Sequence, residues 1–231
     1  MPTIKIENDN IEYTLSRRSK KYINIYLRAD GEIYISAPKR VSMREIEKVL
    51  EEKYKWIKEN RVKKTQKKNE IEHGKCVWYK GLEYNVKIVE NIKDDIYVCG
   101  NSIQINTKDT RKEYVEKIFN KWLYKEAKEI YADTVKKFIN IMFEYDIEMP
   151  KIKIRKMKSR WGSCIPTKKQ VTFNIGLMCV PLSCMEYVIL HELAHFIQPN
   201  HSKDFYTIIE KYMPDFKKRK DMLNKEYGNI L

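Results

Sequence analysis

The pentapeptide His191-Glu192-Leu193-Ala194-His195 constrains this chain more than any other stretch of its sequence. On a helix, residues four apart lie on one face, so His191 and His195 can aim both imidazoles at one point. Glu192 follows the first histidine, where its carboxylate can reach a water held at that same point. The spacing therefore predicts a metal site on a helix, with a carboxylate beside the metal.

The residues around the pentapeptide predict that this helix is buried. Apolar side chains surround it on nearly all sides, at Val188, Ile189, Leu190, Leu193, Ala194, Phe196 and Ile197. Burying two histidines and a glutamate without polar partners costs free energy. A zinc ion would be such a partner for the two imidazoles. Ser183 and Glu186 have the spacing of a capping box, so we expect the helix to begin there.

A third histidine follows at a spacing that suits the same metal. Pro199 cannot continue a helix, and Asn200 tolerates a left-handed turn. We therefore expect the chain to break after Gln198 and to carry His201 back to the metal, with Ser202 as the N-cap of the next helix. Three of the four histidines then share one site. Catalytic zinc typically has three protein ligands and one open position.

Composition limits the class of protein. The 231 residues, with 42% hydrophobic and 34% charged side chains, predict a globular protein with a sizeable core. No apolar run approaches the ~18 residues of a membrane span, and the N-terminus lacks the apolar core of a signal peptide. Five cysteines without a C-x-x-C motif do not predict a disulfide framework. A reducing, cytoplasmic location is the default expectation.

The formal net charge of +14 is interpreted as a solvated basic surface. Such a charge is compatible with nucleic acid or nucleotides as partners. However, the basic runs at residues 63–68 and 217–220 lack the interleaved aromatic side chains of a base-stacking platform. Nucleic-acid binding is therefore not supported, and a membrane partner is not expected.

The patterning along the chain predicts two regions. Residues 1–107 form a β-rich N-terminal region with one helix at about 42–61, opened by a capping box at Ser42 and Glu45. Asp30-Gly31 is a hairpin signal between two alternating stretches. A polar stretch at about 62–75 separates them from a second β segment, and no convincing sequence repeat relates the two β segments. Residues 108–231 form the catalytic region.

In the catalytic region, a sustained apolar stripe from about Thr110 to Met142 predicts one long helix beneath a catalytic sheet. Alternating basic and apolar residues between Lys151 and Met157 predict a half-buried strand with a basic outer face. The next strand covers Gln170 to Ile175. The fold class expected from these elements is α+β, with a small sheet packed on helices.

Several motifs together resemble the YgjP-like zinc metallopeptidase family. They are Lys158 to Cys164, Phe173-Asn174 with Leu177 and Pro181, Tyr187 to His195, Asn200 to Ser202, and Phe205. The hairpin from Arg17 to Pro38 and the Trp56-Ile57 pair are also similar, so the resemblance covers most of the chain. It implies a zincin-like core with zinc on His191, His195 and His201, and with Glu192 as the catalytic base. The metzincin pattern has a glycine where this chain has Gln198, and no Met-turn motif is evident.

The first functional hypothesis is a zinc metallopeptidase with one zinc ion per chain. The metal activates a water, and Glu192 takes its proton and passes it to the leaving amine. An extended peptide or protein substrate would pair with an exposed strand edge, which we assign to the strand Gln170 to Ile175.

Further side chains are candidates for contact with the substrate. Arg160, Tyr187 and Tyr206 could stabilise the oxyanion that forms during attack. Asn174 is an additional candidate for substrate binding. Cys164 is interpreted as a packing residue, because a cysteine nucleophile needs a dedicated histidine base and the nearby histidines are assigned to the metal.

Two alternatives remain open from the sequence. A metal-dependent phosphoanhydride hydrolase could hold nucleotide phosphates on the basic strand Lys151 to Lys158 and on Arg160. It would lack a Gly-rich phosphate loop, and three imidazoles suit zinc better than magnesium. A basic binding module with a structural zinc site would need a fourth Cys or His ligand, which has no suitable candidate, and Glu192 would have no role.

Overall fold

The computed structural model describes residues 2–6, 9–19, 21–27, 32–58, 71–228 and 230. The chain divides into two compact units, Met1–Lys68 and Asn69–Leu231. Each unit has its own hydrophobic core. Within the described residues, no helix combines the length and apolar character that crossing a bilayer requires.

The N-terminal unit is a four-stranded sheet followed by a helix. Its strands are β1 (Thr3–Ile6), β2 (Asp9–Arg18), β3 (Asn24–Leu27) and β4 (Ile33–Pro38), in the order β1-β2-β4-β3. The central strands β2 and β4 run parallel, and both outer pairs are antiparallel. The Asp30-Gly31 hairpin signal lies outside the described residues.

The predicted capping box opens helix α1 (Met43–Glu52). The Glu45 backbone N–H donates to the Ser42 hydroxyl, and the Ser42 backbone N–H donates to the Glu45 carboxylate. The helix breaks at Lys53, and a second helical stretch covers 54–58. The expected extension to residue 61 lies outside the described residues.

The second unit begins with another four-stranded sheet. Its strands are β5 (Cys76–Tyr79), β6 (Leu82–Glu90), β7 (Asp95–Cys99) and β8 (Ser102–Thr107), in the order β5-β6-β8-β7. The central pair is again parallel and the outer pairs antiparallel. The two sheets therefore share one topology, although their sequences show no convincing repeat.

This second sheet shares its core with the helix that follows it, α2 (Lys112–Ile141). Val77 and Ile105 of the sheet and Val115 and Phe119 of the helix are all buried in one cluster. The boundary between the two compact units therefore lies between residues 68 and 69. The sequence patterning predicted it between residues 107 and 108. Strand patterning at 76–107 could not reveal that its apolar face packs on a later helix.

A three-stranded sheet follows, made of β9 (Lys151–Arg155), β10 (Gly162–Ile165) and β11 (Gln170–Asn174). Its order is β10-β11-β9, with β11 antiparallel to β10 and parallel to β9. The expectation that the strand at Gln170 to Ile175 is an exposed edge is therefore wrong. Its backbone is paired on both sides, and β9 and β10 are the edge strands.

Three helices complete the second unit: α3 (Leu182–Ala194), α4 (Lys203–Tyr212) and α5 (Phe216–Glu226). The long helix α2 packs against the three-stranded sheet, where the Tyr131 ring meets the Phe173 ring edge-on at 5.6 Å between centroids. The metal-motif helix α3 contributes most of its residues to the same core. The predicted α+β class, with a small sheet packed on helices, is confirmed.

Candidate metal centre

Helix α3, which carries the pentapeptide, begins earlier than the sequence predicted. Its N-cap is Pro181, whose carbonyl accepts from the backbone N–H groups of Cys184 and Met185. The expected capping box at Ser183 and Glu186 is therefore wrong. The Glu186 carboxylate instead accepts from Lys137 at 2.9 Å and from Arg219 at 2.8 Å, which ties α3 to its neighbours.

The helix ends at Ala194, and the chain turns through Gln198 before α4. Backbone N–H groups at residues 196–198 still donate to carbonyls of the last helical turn. The Ser202 hydroxyl then accepts from the Phe205 backbone N–H, so Ser202 is the N-cap of α4 as predicted. This short return path brings His201 back towards the end of α3.

The three imidazoles meet at one point. Ring centroids are 5.0 Å apart for His191 and His195, 4.9 Å for His191 and His201, and 4.8 Å for His195 and His201. One ligand nitrogen from each ring lies within 4.8 Å of the other two. The fully buried Phe205 ring contacts all three from one side, with centroids 4.6 to 4.9 Å away. His201 is exposed, so the cluster can be reached from solvent at this residue.

The environment keeps the His191 and His195 imidazoles neutral. Burial, reinforced by the neighbouring His195 and His201, lowers the pKa of His191 to about 3. Burial also lowers the pKa of His195. His195 Nδ1 lies 3.3 Å from the Gln198 carbonyl oxygen, which can only accept, so Nδ1 carries the proton and Nε2 keeps its lone pair. Neutral rings held in this tautomer are suited to metal ligation.

The donor set fits a zinc ion. Two nitrogens each 2.0–2.1 Å from a tetrahedral zinc would be roughly 3.3 Å apart, and the Nε2 atoms of His191 and His201 are 3.0 Å apart. The buried Nδ1 of His191 has no hydrogen-bond partner among the described residues. Within the same residues, no fourth His, Cys, Asp or Glu joins the cluster. Three imidazoles with one open position match a catalytic rather than a structural zinc site.

Glu192 lies beside the cluster in an apolar setting. Only 6% of its surface is exposed, and none of the hydrogen bonds or ion pairs among described residues includes its carboxylate. Burial raises the pKa of Glu192 to about 8, against the opposing charge of Arg160. Such a carboxylate is poised to exchange protons near neutral pH.

The edge strand β10 passes directly over this carboxylate. A Cβ placed on Gly162 would lie 2.6 Å from Glu192 Oε1 and 2.7 Å from its Cγ, distances that real side chains do not adopt. Only glycine leaves room for Glu192 here. The sequence analysis did not single out Gly162, because the contact joins residues thirty positions apart.

Cys164 lies on the same strand, half-buried. Burial, with a smaller contribution from the Glu192 charge, raises the pKa of Cys164 to about 12. It is therefore a neutral thiol at physiological pH, which agrees with a packing role and disfavours a nucleophile.

Asn174 and Tyr187 occupy positions that leave them little access to a substrate. Asn174 is 2% exposed, and its amide donates to the carbonyls of Met157 and Arg160 and accepts from the Gly176 N–H. Both amide hydrogens and the amide oxygen are thus engaged, so Asn174 holds the loop before β10 in place. Tyr187 is buried, and burial raises the pKa of its hydroxyl.

Arg160 and Tyr206 are more accessible to solvent than Asn174 and Tyr187. Arg160 is exposed in the loop before β10, and its charge acts on Glu192. The Tyr206 ring is half-buried and stacks beside His201, with centroids 6.4 Å apart and planes inclined by 27°. Lys220 on α5 reaches over that ring, with Nζ 5.3 Å from its centroid. Lys220 was not predicted, because it follows His201 by nineteen residues and has no motif of its own.

A family model described as YgjP-like, metallopeptidase domain, matches residues 21–226. The chain belongs to the YgjP-like metallopeptidase family. It is therefore a hydrolase of the metallopeptidase class, and the family predicted from the motifs is confirmed. Membership in this family implies a metal ion and a peptide substrate.

Among solved structures, the chain is similar to the crystal structure of the metallopeptidase zymogen of Pyrococcus abyssi abylysin. The two share 22% sequence identity with a TM-score of 0.37, over 42% of this chain and 95% of that chain. None of the curated proteins matches the chain.

Proposed function

We propose that this YgjP-like protein is a zinc-dependent peptidase that holds one zinc ion on His191, His195 and His201 and uses Glu192 as the general base. The observation that carries the proposal is the convergence of three imidazoles beside a buried carboxylate without a partner among the described residues. The depressed pKa values of His191 and His195 favour the neutral form that a metal ligand requires.

When bound, the zinc ion supplies Lewis-acid chemistry, polarising a carbonyl and lowering the pKa of a water. Glu192 accepts a proton from the attacking water and delivers it to the leaving amine. A carboxyl whose pKa lies near the working pH can do both, because neither its charged nor its neutral form is strongly favoured. The apolar surroundings that raise this pKa also keep competing water away from the carboxylate.

The substrate lies along β10 rather than β11. The outer edge of β10 has no strand partner among the described residues, and Gly162 at its start touches Glu192. An extended peptide can add to such an edge through its main-chain hydrogen bonds, which places its backbone beside the carboxylate. Arg160, exposed immediately before this strand, is the best-placed candidate to stabilise the oxyanion.

The test compares wild type with Glu192→Gln and with the matched control Glu210→Gln, an exposed carboxylate on α4. Unfolded casein and nucleoside triphosphates are the substrates, and bound zinc is measured in each protein. We expect the wild type to cleave casein but not nucleoside triphosphates. The rate of casein cleavage should fall about 10²–10⁴-fold in Glu192→Gln, with zinc retained, and should not change in the control. Full activity in Glu192→Gln would exclude this residue as the base.

The ligand set is tested by His201→Ala. We expect it to lose zinc, because two imidazoles remain and the ion is left open to solvent on two sides. Unchanged zinc content would remove His201 from the site. Cleavage of nucleoside triphosphates instead of casein would favour the phosphoanhydride hydrolase.

A further inference from the structure

A stack of aromatic rings connects the histidine cluster to helix α5. The Tyr206 ring lies against His201 on one side and is parallel to the Phe216 ring, with centroids 5.9 Å apart and planes inclined by 18°. Lys220, one turn further along α5, places its ammonium 5.3 Å from the centre of the Tyr206 ring. This cation–π contact holds a flexible side chain near the cluster.

The Lys220 ammonium lies over the same Tyr206 ring that stacks beside His201. Both Lys220 and Tyr206 are half-buried, and the neighbouring His201 is exposed, so all three can be reached from solvent. A substrate bound beside His201 can therefore meet the ammonium.

Among the cations of α5 that form no ion pair within the described residues, Lys220 is half-buried whereas Lys218 is exposed. Arg219 pairs with Asp215 and Glu186, and Lys225 pairs with Asp221. None of the ion pairs among the described residues includes Lys220. Its position is therefore not explained by a structural salt bridge, and its charge remains free for a ligand.

The charge balance of the site favours an anion. The Arg160 charge acts on the Glu192 carboxylate, and the Lys220 ammonium lies over the Tyr206 ring beside His201. A divalent cation on the three imidazoles would add further positive charge. Cations that converge in a partly desolvated cleft attract and orient negatively charged groups.

We propose that Lys220 is a specificity-determining residue that binds a carboxylate of the substrate next to the scissile bond. The proposal rests on the proposed peptidase function and adds a substrate class to it. An Asp or Glu side chain and a C-terminal carboxylate supply the same chemistry, and the two sources are separated by the test.

The test uses an otherwise uncharged, fluorescently labelled octapeptide in which one Glu is moved through all positions. Each peptide is paired with its Gln counterpart, and each is made with a free and with an amidated C-terminus. The proteins are wild type, Lys220→Met, Lys220→Arg and the control Lys218→Met, which removes an exposed cation from the same helix.

With wild type, we expect one Glu position, or the free C-terminus, to raise kcat/KM about tenfold over its uncharged partner, mainly through KM. The ratio of kcat/KM between the charged peptide and its uncharged partner should fall to about one in Lys220→Met. It should be partly retained in Lys220→Arg and unchanged in Lys218→Met. A preference that survives in Lys220→Met, or no preference in wild type, overturns the proposal. A preference for the free C-terminus alone identifies the terminal carboxylate as the source.

A second measurement separates this proposal from the peptidase function. Binding of the same peptide pairs is measured by fluorescence anisotropy with zinc-loaded Glu192→Gln, and with Glu192→Gln carrying Lys220→Met. We expect the carboxylate peptide to bind about tenfold more tightly, and only when Lys220 is present. If wild type cleaves no peptide but this difference appears, the peptidase function fails and carboxylate binding stands. If cleavage occurs without the difference, the Lys220 proposal fails alone.

Discussion

Replacement of Gly162 by alanine tests how closely strand β10 and the general base are fitted together. The added methyl carbon would lie 2.6 Å from Glu192 Oε1, 2.7 Å from Cγ and 2.9 Å from Cδ. Favourable contacts between such atoms lie at about 3.5–4.0 Å. Relief of the overlap therefore requires a displacement of roughly 1 Å.

The displacement should fall on the carboxylate. Gly162 is paired with the fully buried Phe173 in the sheet, and the backbone of Glu192 lies within the buried helix α3. The Glu192 side chain can be displaced more easily than either of these backbone segments. A shift of about 1 Å in a catalytic group can reduce the rate about 10²-fold, and overpacking of this kind costs about 1–3 kcal/mol in the free energy of unfolding.

The assay measures kcat on a peptide substrate, bound zinc, and the denaturant midpoint for Gly162→Ala. Gly176→Ala is the matched control, because its added methyl would meet Ile230 Cγ2 at 3.2 Å and not Glu192. We expect zinc binding to be retained in both variants, with kcat reduced about 10²-fold only in Gly162→Ala.

A Gly162→Ala protein with wild-type kcat and wild-type stability would refute this reasoning. Such a result would mean that β10 moves away from α3 without cost, and that the edge strand is not held against the base. Equal losses in Gly162→Ala and Gly176→Ala would attribute the effect to added volume in general rather than to the Glu192 contact.

Three further predictions follow from buried polar groups. Asn174→Ala should lower the free energy of unfolding by about 2–4 kcal/mol in denaturant titrations, because it removes three part-buried hydrogen bonds to the backbone. Normal stability with a raised KM would instead indicate a substrate contact. Iodoacetamide at pH 8 should label the exposed Cys76 and Cys99 well before Cys164, whose pKa is raised to about 12; equally fast labelling of Cys164 would contradict its burial. In metal-free Glu192→Gln protein, which lacks the opposing titration of a carboxyl with its pKa raised to about 8, His191 has its pKa lowered to about 3, so the unfolded chain binds the extra proton between about pH 3 and 6.5. Stability should therefore fall by up to about 1.4 kcal/mol per pH unit below pH 6.5, and a flat profile between pH 7 and 5 in EDTA would show that this imidazole is not buried neutral.

The features that were predicted correctly depend on residues close together in the chain. The capping box at Ser42 and the N-cap at Ser202 both follow from local backbone chemistry. The four-residue spacing of His191 and His195 likewise places both rings on one face of any helix. Local geometry is sufficient to predict each of these features.

The predictions that failed depend on how distant segments pair. The strand at Gln170 to Ile175 has the pattern of a half-exposed edge, yet β10 and β9 both pair with it. The start of α3 is set by Pro181, against which the Lys80-Gly81 turn packs, with Gly81 leaving no room for a side chain. Strand order and packing of this kind are not encoded in the periodicity of either segment.

The sequence by itself determined the family, the α+β class and the cluster of histidines, because helical spacing and a proline-containing break act over a dozen residues. Only the tertiary structure decided that β10 is the edge beside Glu192 and that Gly162 makes room for the carboxylate. It also decided that Lys220 contacts the Tyr206 ring. These contacts join residues that are fourteen to thirty positions apart. Their formation depends on how helices and strands pack, and a local sequence pattern does not predict this packing.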